Sequence, residues 1–178
     1  VDLSAAHGRT GALLLDPSSI TIGAVADVDG NSTPGDDVSG DIDSSDFGTA
    51  ASMITAANVS ALLNTVDLSL AATGDILVSQ PITKTTGSAT TLTLYAGNKL
   101  DIHSPISGAP GSPLNLSLES EGAMSTTAAI TTFGGSVSMI AGFGMAGGIT
   151  LNGDINAGTG TVTMAAHAGE TQPSGAIT

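Results

Sequence analysis

The sequence predicts an all-β protein with the fold of a parallel β-helix (β-solenoid) of about 24 residues per coil, and two observations support this prediction. First, a Leu-x-Leu motif begins at positions 68, 92 and 116, and an isoleucine follows 14 residues later each time, at positions 82, 106 and 130. Second, apolar and polar residues alternate between these landmarks, which is the two-residue period of strands rather than the period of helices. A unit this short cannot bury its apolar side alone, so it must stack on copies of itself.

The repeat continues beyond position 130 with changes of spacing that loops can absorb. Val137-Ser-Met139 and Val162-Thr-Met164 replace the leucine pairs after intervals of 21 and 25 residues. This alignment requires the residues around Met145–Gly148 to bulge out of the coil. With coils about 4.8 Å apart, two inward ladders are expected. They consist of Leu68, Leu92, Leu116, Val137 and Val162, and of Leu70, Leu94, Leu118, Met139 and Met164.

The two ends of the chain are predicted to belong to the same single solenoid segment, which covers residues 1–178. Residues 13–22 contain two strand patterns joined by a turn at Asp16-Pro17, which indicates a further coil. In residues 47–65, the spacing of Val59, Leu62 and Leu63 fits either one helical turn or a coil corner. Ile177 stands where the closing isoleucine of another coil belongs, and no cap is recognisable at either end.

Residues 25–46 interrupt the pattern and are predicted to form an acidic loop inserted between coils. Seven of the 16 acidic residues lie here among Gly, Ser, Asn and Pro. Calcium prefers six to eight hard oxygen ligands, and one cluster offers them at nearly alternating positions. Its members are Asp27, Asp29, Asn31, Asp36 and Asp37. Two interpretations stay open, a calcium site and a solvated acidic loop, because the EF-hand pattern is incomplete and charge runs usually face solvent.

Composition limits the kinds of partner that the chain can have. Three Lys and Arg residues stand against 16 acidic ones, for a formal net charge of −13. Nucleic acid is not an expected partner, because phosphate binding requires clustered basic residues. Insertion into a membrane is not expected either, because no stretch approaches the roughly 18 apolar residues that span a bilayer. The chain contains no Cys, which suits an exported protein without disulfides.

Three stretches resemble the large filamentous-haemagglutinin-like exoproteins of bacteria: residues 13–22 (LLLDPSSITI), 54–65 (ITAANVSALLNT) and 68–78 (LSLAATGDILV). The resemblance covers roughly residues 13–178 and lies in the repeat and in the general pattern of residues. It implies a right-handed parallel β-helix, two-partner secretion or a related route, and a place outside the cell or on its surface. It also implies service as the shaft of an adhesin or filament, with self-association through the solenoid ends or joining to further parts of the parent exoprotein.

The outward positions of the predicted coils decide between this structural role and its alternatives. Two outward columns are expected: Asp67, Thr91, Asn115, Ser136 and Thr161, and Ser69, Thr93, Ser117, Ser138 and Thr163. Their hydroxyl groups make a glycan-binding or ice-binding face the alternative hypothesis, although the first column is irregular. A polysaccharide-degrading enzyme is the least favoured hypothesis, because no set of acid, base and nucleophile is recognisable. Glu119 and Glu121 flank Ser120 without a basic partner, and the three His belong to different repeats.

Overall fold

The computed structural model describes residues 12–15, 17–24, 51–167, 171–173 and 175–178. In chain order the elements are β1 (Ala12–Leu15), β2 (Ser19–Gly23), β3 (Ala51–Thr55), α1 (Ala56–Leu63), β4 (Asp67–Ala72), β5 (Ile76–Val78), β6 (Ile82–Thr83), β7 (Thr90–Ala96), β8 (Leu100–Ile102), β9 (Ile106–Ser107), β10 (Leu114–Ser120), β11 (Met124–Thr126), β12 (Ile130–Thr131), β13 (Val137–Ala141), β14 (Ile149–Leu151), β15 (Ile155–Asn156), β16 (Val162–Ala166) and β17 (Thr171–Pro173).

These strands form a parallel β-solenoid in which each full coil contributes one strand to each of three sheets. Sheet A has the order β1-β4-β7-β10-β13-β16, sheet B the order β17-β14-β11-β8-β5-β2-β3, and sheet C the order β15-β12-β9-β6. Every named strand pair is parallel, because each coil returns to the same sheet in the same direction. The predicted fold is therefore confirmed, with about 24 residues per coil.

The predicted register is also confirmed. Leu68 pairs with Leu92, Leu92 with Leu116, and Leu116 with Val137. In sheet C, Ile130 pairs with Ile155, which in turn forms a parallel bridge with Ile177. The change of spacing after β13 is absorbed by a loop of residues 142–148, so that Ile149 still pairs with Met124. The first predicted coil is present as β1 and β2, which pair with β4 and β5.

The core is a narrow column of aliphatic side chains along the axis. Alternate residues of each long strand are buried, and the residues between them are half-buried or exposed. The buried ladders of the complete coils include Leu70, Leu94, Leu118 and Met139 in sheet A, Ile76, Leu100, Met124 and Ile149 in sheet B, and Ile82, Ile106, Ile130 and Ile155 in sheet C. Val162 and Met164 form the last rung and are only partly buried.

The helix α1 takes the place that a strand of sheet C would occupy in the first coil. Thr55 caps its N-terminus, since the Thr55 hydroxyl accepts a hydrogen bond from the backbone N–H of Asn58 at 3.2 Å. Val59 and Leu63 are buried against the core. Of the two interpretations of residues 47–65, the helical one is therefore confirmed.

This helix also covers the first strand of sheet C locally, whereas the expectation about caps concerned the two ends of the chain. The backbone N–H of Thr83 donates to the Ser60 hydroxyl at 2.9 Å, and those of Thr85 and Thr86 donate to Oδ1 of Asn64 at 3.0 Å. The first edge of sheet C is thus satisfied by side chains of α1 and of the residue that follows it. A short helix was not recognisable as a cap in the sequence, because these acceptors become partners only after the chain folds.

Candidate functional site

The first outward column of sheet A joins successive coils through hydrogen bonds. Oδ1 of Asp67 accepts from the backbone N–H of Thr91 at 2.8 Å, and Oδ1 of Asn115 accepts from that of Ser136 at 3.0 Å. The Ser136 hydroxyl in turn accepts from the backbone N–H of Thr161 at 3.3 Å. These polar groups are bound within the protein, so the irregularity of the column reflects inter-coil bonding.

The second outward column presents hydroxyl groups in register along sheet A. Ser69 pairs with Thr93, Thr93 with Ser117, Ser117 with Ser138, and Ser138 with Thr163. The Ser117 hydroxyl donates to Oε1 of Glu119 at 3.2 Å. The predicted column therefore exists, with rows separated by the strand spacing of about 4.8 Å. It can offer hydrogen bonds to water or sugar hydroxyls.

Aromatic and acidic side chains meet beside these columns, near the C-terminal ends of β7 and β10 in sheet A. Tyr95 and Glu119 are register partners on β7 and β10. The Tyr95 hydroxyl donates to Oε1 of Glu121 at 2.6 Å, and the rings of Tyr95 and Phe143 are tilted by 46° with centroids 6.0 Å apart. Met145 lies on the same loop as Phe143, and both side chains are 42% exposed. We name these five residues the aromatic-acidic patch.

Sequence reasoning placed Glu119 and Glu121 on either side of Ser120 but did not bring Phe143 to them. Phe143 lies in the loop of residues 142–148, which is longer than the corresponding links at residues 73–75, 97–99 and 121–123. Without a repeat, the direction of this loop could not be read from the register. The only available signal was composition, since the whole chain contains just one Tyr and three Phe.

A lysine in the interior was a second feature that the sequence analysis missed. Lys84 is fully buried, and its Nζ donates to the carbonyl oxygens of Leu63 at 2.9 Å and Thr86 at 2.6 Å. The Thr90 hydroxyl donates to the same Leu63 oxygen at 2.6 Å. Burial lowers the pKa of the Lys84 ammonium below its ordinary value. This lysine therefore joins the last turn of α1 to the turn between sheets C and A.

An ion pair between an exposed lysine and a half-buried aspartate marks the outward side of sheet B. Nζ of Lys99 lies 2.8 Å from Oδ2 of Asp101, and the Ser125 hydroxyl donates to Oδ1 of Asp101 at 2.5 Å. Burial by itself would raise the pKa of Asp101, but the hydrogen bonds from Lys99 and Ser125 and the nearby positive charge hold it below its ordinary value. The hydrogen bond to Asp101 and its negative charge raise the pKa of Lys99. The arrangement is a structural contact between neighbouring coils.

The proposed calcium ligands Asp27, Asp29, Asn31, Asp36 and Asp37 lie outside the residues that the structure describes. Within the described residues, no group of three or more His, Cys, Asp or Glu is placed to hold a metal ion. His103 and His167 are both exposed. In the same part of the chain, no helix is both long and apolar enough to cross a membrane.

Comparisons with known proteins leave the fold and the surface as the grounds for a functional argument. No protein-family model matches the sequence, and neither a curated protein nor a solved structure matches it significantly.

Proposed function

We propose that this chain is a shaft segment of an extracellular bacterial exoprotein of the filamentous-haemagglutinin-like kind, with a structural and adhesive role. One observation supports the proposal above the others, namely the unbroken parallel register of sheet A from β1 to β16. A regular stack of coils makes a stiff rod, because each inner coil is hydrogen-bonded to both neighbours along the same axis. Hydrogen bonds between coils also occupy much of the first outward column.

The last rung of the stack supports end-to-end assembly. Val137 donates its backbone N–H to the carbonyl oxygen of Thr161 in the next coil, so by the same parallel pairing the N–H of Val162 is expected to face the end of the solenoid. Within the described ranges, no strand pairs with the outer edge of β16 or β17. Such an edge can template pairing with another strand. A further coil, from a second copy or from the parent exoprotein, would complete the burial of Val162 and Met164.

Electron microscopy of the purified chain tests this proposal. We expect rods that lengthen with protein concentration. Met164→Lys should abolish the lengthening, because an inward-pointing charge on an edge strand opposes pairing. Thr163→Lys is the matched control, since it places the same charge on the outward side of the same strand. Rods of one fixed length in the unsubstituted protein, or equal lengthening in both variants, would contradict the proposal.

Calcium dependence is examined in the same preparation. The predicted acidic loop of residues 25–46 is expected to contribute to assembly only if it binds calcium. Addition of a chelator should then shorten the rods, and Asp29→Asn should reproduce that effect in the presence of calcium. Rods that are unchanged by the chelator would leave the loop as a solvated insertion.

A further inference from the structure

The aromatic-acidic patch is assembled by the register of sheet A. Tyr95 and Glu119 are opposite each other on adjacent strands, about 4.8 Å apart along the axis. Ser120 is buried between Glu119 and Glu121, so the two glutamates lie on the same outward side. The Tyr95 hydroxyl reaches diagonally to Glu121. Two carboxylates and one phenol ring are therefore held together by β7, by β10 and by the residue that follows β10.

The loop of residues 142–148 completes the patch and is held in place by backbone hydrogen bonds. The N–H groups of Gly144 and Met145 donate to the carbonyl oxygen of Glu121 at 3.2 and 2.7 Å. Gly144 lies so close that a Cβ atom there would be 2.6 Å from Oε2 of Glu121. A side chain at this position would have to displace the side chain of Glu121, and glycine leaves room for it. The loop thus folds back over the preceding coil and places Phe143 against Tyr95.

The charges around the patch favour a cation as its ligand. Only three Lys and Arg residues are present in the chain, against 16 acidic residues. Lys84 is buried, Lys99 is paired with Asp101, and Arg9 lies outside the described residues. A cation over an aromatic ring is attracted by the negative charge of the ring face. A carboxylate within reach adds a charge-assisted hydrogen bond.

We propose that the aromatic-acidic patch binds an arginine side chain of a partner protein. A guanidinium group fits this surface better than an ammonium group, because it is planar, stacks on aromatic rings and donates two parallel hydrogen bonds to a carboxylate. In this arrangement the guanidinium stacks on Phe143 and donates to Glu119 and Glu121. The exposed Met145 covers the aliphatic stem of the arginine. The proposal is independent of end-to-end assembly.

Nuclear magnetic resonance titration with the blocked tripeptide Gly-Arg-Gly tests the proposal directly. The chain has a single Tyr, so shifts of its ring signals report binding at Tyr95. We expect these signals to move and saturate with the arginine peptide. The same peptide with citrulline should leave them in place, because citrulline has nearly the same shape but no charge.

Two variants and one control locate the site. Phe143→Ala and Glu121→Gln should each weaken binding about fivefold, which corresponds to about 1 kcal/mol. Asp67→Asn removes one negative charge elsewhere on sheet A while keeping the acceptor for Thr91, and it should change the affinity less than about twofold. Phe143 is on the surface, so circular dichroism should report an unchanged fold for its variant.

Three results would overturn the proposal. The first is an unmoved Tyr95 signal at saturating concentrations of the arginine peptide. The second is equal weakening by Asp67→Asn and Glu121→Gln, since this would reduce the binding to general attraction by a negative protein. The third is binding of a neutral oligosaccharide at Tyr95 in place of the peptide, which would assign the patch to a glycan.

Discussion

The ammonium group of Lys84 lies inside the solenoid because of its position in the coil. It follows Ile82 by two residues and therefore points inward, as Thr132 does at the equivalent position of a later coil. The alternation of residues in the sequence contained this information. A lysine was nevertheless expected outside, since burial of an unpaired charge is costly. Carbonyl oxygens of Leu63 and Thr86 provide the missing partners.

The lowered pKa of Lys84 leads to a pH dependence of stability. Between the folded pKa and the ordinary value of 10.5, the unfolded chain holds a proton that the folded chain has released. The free energy of unfolding therefore rises with pH across this window. We expect Lys84→Met to lack this rise. Urea unfolding of both proteins at several pH values up to 10.5 measures the difference.

Lys99→Met is a control, because the pH dependence of stability that Lys99 contributes has the opposite sign. The pKa of Lys99 is raised, so its contribution to stability is fully present below 10.5 and is lost as the pH rises through the folded pKa. The free energy of unfolding of the unsubstituted protein should therefore exceed that of Lys99→Met by less above pH 10.5 than below it. A difference between the parent and Lys84→Met that stays constant with pH would contradict the assignment of the buried ammonium.

At the scale of the element, α1 replaces a strand without interrupting the stack. It is followed by its C-cap residue Asn64, whose side chain accepts hydrogen bonds from the backbone N–H groups of two residues that follow β6. The spacing of Val59, Leu62 and Leu63 was compatible with this helix but also with a coil corner. Local periodicity could not decide, because both arrangements bury the same residues. The helix is favoured over the coil corner by its contact with the open edge of sheet C, which forms only in the folded protein.

We expect Asn64→Ala to lower the free energy of unfolding by about 1 kcal/mol, because two backbone N–H groups lose their acceptor. Hydrogen exchange at Thr85 and Thr86 should accelerate more than exchange at residues of β7. The control is Ala61→Ser on the exposed side of α1, which should cost no more than about 0.5 kcal/mol. Unchanged exchange at both threonines would show that α1 does not protect this edge.

At the scale of the whole molecule, some parts of the solenoid can be predicted from the sequence and others cannot. The ladders that contain Leu94 and Ile106 were predictable, since each inward residue repeats the chemistry of its neighbours above and below. The contacts of Lys84 and Phe143 were not, because each occurs once and depends on a non-repeating segment, α1 in one case and the loop of residues 142–148 in the other. The predicted calcium ligands belong to a segment outside the described residues, so that prediction stands untested.

The direction of the inter-coil hydrogen bonds has a mechanical consequence. These bonds lie along the axis of the rod, so a pull on the two chain ends peels coils away one at a time instead of shearing all bonds together. Each released coil of about 24 residues extends to about 80 Å, compared with about 4.8 Å in the stack. We expect force spectroscopy to record length increments of about this size, whereas a single all-or-none rupture would contradict the idea. Such a solenoid is expected to yield to tension in steps and to dissipate a load gradually.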